Sequence, residues 1–206
     1  MRVENAHKKT LLLITGLGII LRVIAGWIIG YSKIIFFDER VYLEIAQSFA
    51  RTLSISLHGQ PTAWAEPGYP ILLAIGTLLN PTLFTARLLQ VLLSGGMIGI
   101  VFALAKQLFP TKPQIALISS FLYSVYPPHI FLTHMIYPQF IATLWAMLFL
   151  VYLFRLLELE RSPSSKDIVI LALFTGGGAL ILGTTLFFSI PATLLLFYYK
   201  KCFKKD

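Results

Sequence analysis

Asp38 and Glu39 stand side by side where the first long apolar run gives way to polar sequence. Carboxylates at such a boundary meet a substrate carried in lipid on one side and one dissolved in water on the other. Partial burial or a neighbouring cation can then set a carboxylate up as a general base. The plainer role of the same pair is a solvated stop to a membrane helix, because ionisable groups become strong site candidates only inside the bilayer. Glu66 is a further acid in the same polar stretch, placed to cap the helix that Pro67 opens. Arg22 lies mid-way along the first apolar run, where a charge facing lipid is costly, so it is expected to turn inward to a carboxylate or carbonyl. His129 and His134 have no carboxylate or cysteine neighbour at ligand spacing and read as structural.

The elements that must position these residues follow from composition. The chain is 57% hydrophobic and 13% charged, against roughly 25% charged in an ordinary soluble domain. A water-soluble protein of this length needs a wetted exterior that so few polar residues cannot supply. A lipid environment removes that need, and the fold class expected is an all-α, multi-pass integral membrane bundle. The net charge of +8 is spread between the apolar runs and at both chain ends, which is the pattern that orients helices in a membrane, not a nucleic-acid-binding face. The single cysteine, Cys202, excludes an internal disulfide; in a basic tail, acylation is the alternative to plain packing.

About six bilayer-crossing or re-entrant segments are expected over one membrane domain, 1–206. The first runs from Leu11 to about Tyr31, too long for a signal peptide. The stretch 37–67 then forms an external loop, in which Val41, Ile45, Ala46, Phe49 and Leu53 mark an amphipathic helix too short to span and suited to the interface. A turn-rich segment around Gly59-Gln60-Pro61 and an apolar piece from Pro67 to about Leu79 follow. Helices are expected over Leu83–Leu108, from Ile115 to Val125, and from Pro138 to Arg155. The block Ile168–Tyr199 is long for one helix, and Gly176-Gly177-Gly178, Gly183 and Pro191 divide it into two around a turn. Basic residues fall on alternate connections, including Arg155, Arg161 and Lys166, which places both termini in the cytoplasm and the 37–67 loop on the periplasmic or extracellular side.

The stretch FFDERVYLEIAQSFARTLSISLHGQPTAWAEPGYPILLAIGTLL, residues 36–79, resembles the first external loop of the GT-C superfamily of membrane glycosyltransferases. This group includes the protein O-mannosyltransferases, the aminoarabinose transferases and the proteins related to glycosyltransferase family 39. An Asp-Glu pair after the first helix, a tyrosine three or four residues on, and a segment like Glu66-Pro67-Gly68-Tyr69-Pro70 carry the likeness. The resemblance implies transfer of a sugar from a polyprenyl-phosphate carrier to an acceptor on the non-cytoplasmic face. It implies Asp38 as general base, Glu39 sharing or orienting that site, and Arg87 neutralising the lipid phosphate with Tyr42 and Tyr69 as substrate-binding residues. Glu66 matches a position that holds a divalent metal in some relatives, so a metal ion is an optional cofactor.

Gln139 departs from the resemblance, standing where relatives often carry an acid, and typical relatives continue into a C-terminal half that this sequence does not include. The expected partners are therefore membrane lipids, the lipid-linked sugar and a second chain supplying further helices. Two competing readings follow: a non-catalytic subunit that binds lipid-linked sugar, and a small transporter. The second would want polar residues lining several spans, and apart from Arg22 these spans lack them.

Overall fold

The computed structural model describes residues 2–159 and 162–203, with side chains for 7–159 and 162–201. Arg161 and the Cys202 side chain, both named above, lie outside the described residues. The architecture is helical, with one two-stranded ribbon. Helix α1 (Arg2–Ile29) ends at Gly30, whose φ of +93 takes the left-handed turn that only glycine adopts without strain. Helix α2 (Asp38–Thr52) follows, and then strands β1 (Ser56–Leu57) and β2 (Gln60–Pro61) pair antiparallel across a turn at His58-Gly59. Helix α3 (Gly68–Gly76) is the short apolar piece expected after the Pro67 turn.

Helix α4 (Leu83–Leu108) starts from Thr82, whose side chain caps the Thr85 N–H while Thr85 bonds back. Helices α5 (Pro113–Val125) and α7 (Pro138–Glu158) each open on a proline, which loses no hydrogen bond in a first turn. Between them sits α6 (Pro127–Leu132), a helix the sequence reading did not anticipate. The last apolar block divides as expected into α8 (Ser165–Ile181) and α9 (Leu186–Phe203). The break is at Gly183–Thr185, a short 3-10 turn; Gly176 to Gly178 remain helical and Pro191 lies inside α9.

Three helices have the length and apolarity to cross a membrane: His7–Ile29, Leu83–Leu108 and Pro138–Glu158. At 13 residues α5 is shorter than a full span, and α8 has 17, so any count of six segments rests on the shorter helices. The apolar side chains face outward: Leu13 is 74% exposed and Trp27 84%. Arg22, Glu39 and Arg87 are fully buried. That inversion of the soluble pattern suits a lipid solvent and no other.

Helices α1, α4 and α5 pack together, α7 lies against α4, and α8 and α9 lie against α7. Gly18 and Gly95 permit the close approach of α1 to α4, since a Cβ on Gly18 would stand 2.6 Å from Ile98 Cδ1 and one on Gly95 3.0 Å from Ile19 Cδ1. Gly16, Gly96 and Gly99 have open space and do not contribute to that packing. Beside this bundle, α2 and α3 pack on each other and α3 reaches α4 and α8. Ala46, Tyr69, Leu73, Ala86, Ile136 and Phe140 form the core beneath them. The amphipathic pattern of α2 is thus spent on protein contact: Ile45 and Ala46 are buried, and Tyr42 and Phe49 pack on that core.

Candidate active site

Asp38 and Glu39 form the first turn of α2, where carboxylates are favoured by the unpaired N–H groups of a helix start. Neighbouring helix positions point about 100° apart, and the two acids accordingly have opposite surroundings. Glu39 is fully buried. Its Oε2 accepts from Ile35 N–H at 2.8 Å and from the Arg87 guanidinium at 3.0 Å, and its Oε1 accepts from Ile136 N–H at 3.0 Å. Asp38 is half-buried, and its Oδ2 accepts from the Tyr137 hydroxyl at 2.9 Å. Among the described residues no donor meets Oδ1.

Arg87, on the second turn of α4, is fully buried and commits each nitrogen of its guanidinium to the protein. Nε donates to the His134 carbonyl at 2.8 Å, Nη1 to the carbonyls of Gly30 and Tyr31 at 2.9 and 2.8 Å, and Nη2 to Glu39. Sequence reasoning placed Arg87 and Glu39 in the chemistry. The structure brings them to each other, as a hydrogen-bonded ion pair that ties α2, α4 and the end of α1 together, and away from open space. A buried pair of this kind needs further hydrogen bonds, and here four of the five guanidinium N–H groups and both carboxylate oxygens have partners.

Tyr42 is the centre of an aromatic group beside Asp38. Its ring meets Trp64, Tyr69 and Tyr137 edge-on at centroid distances of 5.5, 5.3 and 5.6 Å, and Phe36 meets Tyr137 at 5.9 Å. Burial pushes the Tyr42 phenol up, and the nearby Glu66 and Asp38 carboxylates push it further. Tyr42 therefore lies between the two acids that remain outside the buried pair. Tyr69 is more deeply set: fully buried, with its hydroxyl donating to Gln90 Oε1 at 3.4 Å, and burial raises its phenol well above the usual range. It supports the Tyr42 ring from below and is not itself open to a ligand.

Glu66 does not cap the helix opened by Pro67, which has no side-chain cap. Its Oε1 accepts instead from Gly183 N–H at 3.0 Å, joining the segment between β2 and α3 to the turn between α8 and α9. Gly68 touches the same region, since a Cβ there would lie 2.5 Å from the Leu180 carbonyl oxygen. Glu66 also lines a cleft of about 560 Å3 with Ile55, Thr62, Ala63, Trp64, Ala65 and Pro67. Among the described residues no group of three or more His, Cys, Asp or Glu gathers as metal ligands. A single carboxylate with a backbone N–H on one oxygen does not fit a dedicated divalent site, and no metal step is drawn below.

What sequence reading missed is the segment Thr133–Tyr137, between α6 and α7. Its carbonyls and amides bind the acid-bearing region almost residue by residue. Gln90 Nε2 donates to the carbonyls of Thr133 and Met135, Arg87 to that of His134, Ile136 N–H goes to Glu39 and the Tyr137 hydroxyl to Asp38. Arg22 turns inward as its mid-helix position demands, with Nη1 donating to the carbonyls of Gly18 and Ser124 at 2.9 Å each and Nε to Thr133 Oγ1 at 3.4 Å. His134 Nε2 faces the Arg22 carbonyl at 2.8 Å, so it carries the proton, and burial holds the ring neutral with its pKa lowered to about 4. The available signal was an island of Thr133, His134 and Tyr137 between two proline-led apolar runs. Gln139, at the departure noted above, is exposed.

The sequence pattern of the family described as dolichyl-phosphate-mannose-protein mannosyltransferase matches residues 60–206, well over half of the chain. The matched part contains Glu66, Tyr69, Arg87 and Tyr137, and begins after Asp38, Glu39 and Tyr42. No curated protein and no solved structure matches the chain.

Proposed function

Because the chain belongs to the dolichyl-phosphate-mannose-protein mannosyltransferase family, we propose that it transfers a sugar from a polyprenyl-phosphate carrier to a hydroxyl acceptor on the non-cytoplasmic face of the membrane. The observation that carries this reading is the asymmetry of the acid pair. Asp38 has one oxygen held by Tyr137 and the other without a partner among the described residues, at the edge of an aromatic group of the kind that packs against sugar rings. Glu39 is consumed by Arg87.

Asp38 Oδ1 takes the proton of the acceptor hydroxyl as its oxygen attacks the anomeric carbon. The new bond is acceptor oxygen to anomeric carbon; the bond from that carbon to the phosphate oxygen breaks, and the lipid phosphate leaves with the electron pair. Attack opposite the leaving group inverts the anomeric centre. The departing phosphate needs a cation. With Arg87 occupied, the exposed Lys33 and Arg40 flanking the acid pair are the side chains left to meet it. Both termini lie in the cytoplasm in this reading, supported by Lys8, Lys9, Lys106, Lys112 and Lys201 on the connections opposite the 37–67 loop. Membrane lipids and the lipid-linked sugar are the partners it entails.

The test uses the full chain in membranes of an expressing host, supplied with polyprenyl-phosphate-linked radiolabelled mannose. Wild-type membranes should transfer label and Asp38→Asn membranes should not. Transfer that survives Asp38→Asn would overturn the assignment of the base, and label retained on the carrier in both would overturn the assignment of the donor.

A further inference from the structure

Tyr137 takes no proton in the reaction proposed for Asp38, yet among the described residues it is the one group bonded to the Asp38 side chain. We propose that Tyr137 is the positioning residue of the transfer, holding Asp38 Oδ2 so that Oδ1 is the oxygen presented to the acceptor hydroxyl. This rests on the reading of Asp38 as base.

The hydrogen bond spans 99 positions of sequence and is 2.9 Å long. Its two ends differ in freedom. Asp38 sits on the exposed-facing side of the first turn of α2, where its two side-chain torsions leave the carboxylate several orientations. Tyr137 is fixed from every direction. Its backbone is extended, at φ −138 and ψ 151, as the following Pro138 requires. The preceding residue is tied to Glu39 through its N–H, and His134 and Met135 are tied through their carbonyls to Arg87 and Gln90. Its ring is bracketed edge-on by Phe36 and Tyr42. The carboxylate must therefore come to the phenol, and the rigid partner sets the angle of the mobile one.

The phenol can only act in one sense. Burial first, and then the hydrogen bond and charge of Asp38, push its pKa up to about 12. It stays protonated at neutral pH and offers Asp38 a proton to share but never a competing charge. A donated hydrogen bond stabilises the carboxylate and so weakens it as a base. The contribution of Tyr137 to rate is orientation, not activation, and the two have different signatures.

Tyr137→Phe keeps the ring and its packing while removing the hydroxyl. Expected is a fall in kcat of about 10- to 100-fold with KM within about twofold, the mark of a group felt in the transition state. A Tyr137→Phe protein with wild-type kcat, while Asp38→Asn is dead, overturns the inference and leaves the base in place. An active Asp38→Asn protein instead removes the reading on which it rests. A fluorinated tyrosine at position 137 guards against misfolding of the variant. It preserves the side-chain shape but ionises at lower pH, and transfer should be lost as that phenol deprotonates; activity unchanged across that ionisation also overturns the inference.

Discussion

Glu39→Gln separates a structural acid from a catalytic one. In the native protein Glu39 and Arg87 are both fully buried at 3.0 Å, and the carboxylate also accepts the amides of Ile35 and Ile136. Glutamine keeps the volume but removes the charge, and its amide nitrogen presents a donor to a site built from donors. Arg87 is then a buried cation facing only the carbonyls of Gly30, Tyr31 and His134. Removing one partner of a buried pair costs about 3–5 kcal/mol, which in a chain of this size lowers Tm by roughly 6–20 °C. The assay is thermal unfolding of the detergent-solubilised full chain, run beside the transfer assay. Glu39→Met combined with Arg87→Met should recover most of the loss, because an apolar pair leaves no charge stranded. A Glu39→Gln protein with wild-type Tm and no transfer would refute this reasoning and return Glu39 to the chemistry.

Gly68→Ala should lower stability by about 1–3 kcal/mol, because its Cβ would stand 2.5 Å from the Leu180 carbonyl oxygen; Gly59→Ala, where a side chain meets nothing within 4 Å but φ is +75, tests strain alone. His134 is neutral in the folded protein, with a pKa lowered from 6.5 to about 4. The unfolded chain therefore takes up a proton first, and stability should fall as pH drops through that window, by on the order of 2–3 kcal/mol at its lower end. Chemical unfolding at several pH values measures this, and His134→Gln should flatten the slope between pH 6.5 and 4.

The long apolar runs foretold α4, α7 and the end of α1 to within a few residues, because a helix that faces lipid must be apolar along its buried length; α1 starts at Arg2, well before the apolar run at Leu11. The acid pair was legible as a location and illegible as a site. Asp38 and Glu39 are chemically near-identical neighbours, and what distinguishes them arrives from residues 87, 136 and 137. The resemblance implied a phosphate for Arg87, and the sequence could not show the carboxylate that the side chain meets. Gly176 to Gly178 read as a break, yet Gly177 and Gly178 are where the Trp145 indole packs on α8, at 2.5 and 3.2 Å from a notional Cβ. Glycine in a membrane helix as often marks a close neighbour as an end.

The bond from Gly183 N–H to Glu66 crosses 117 positions of sequence. A membrane chain is made and inserted from its N-terminus, at about 5–20 residues each second. The acid-bearing loop therefore leaves the ribosome many seconds before the turn that anchors it. For most of that interval Asp38 has no Tyr137 and Glu39 no Ile136 amide, so the nascent chain carries the acid pair without the bonds that orient it. Competence for transfer arrives late in synthesis, and a reporter of loop accessibility on stalled chains should change only once α7 and then α8 have been inserted.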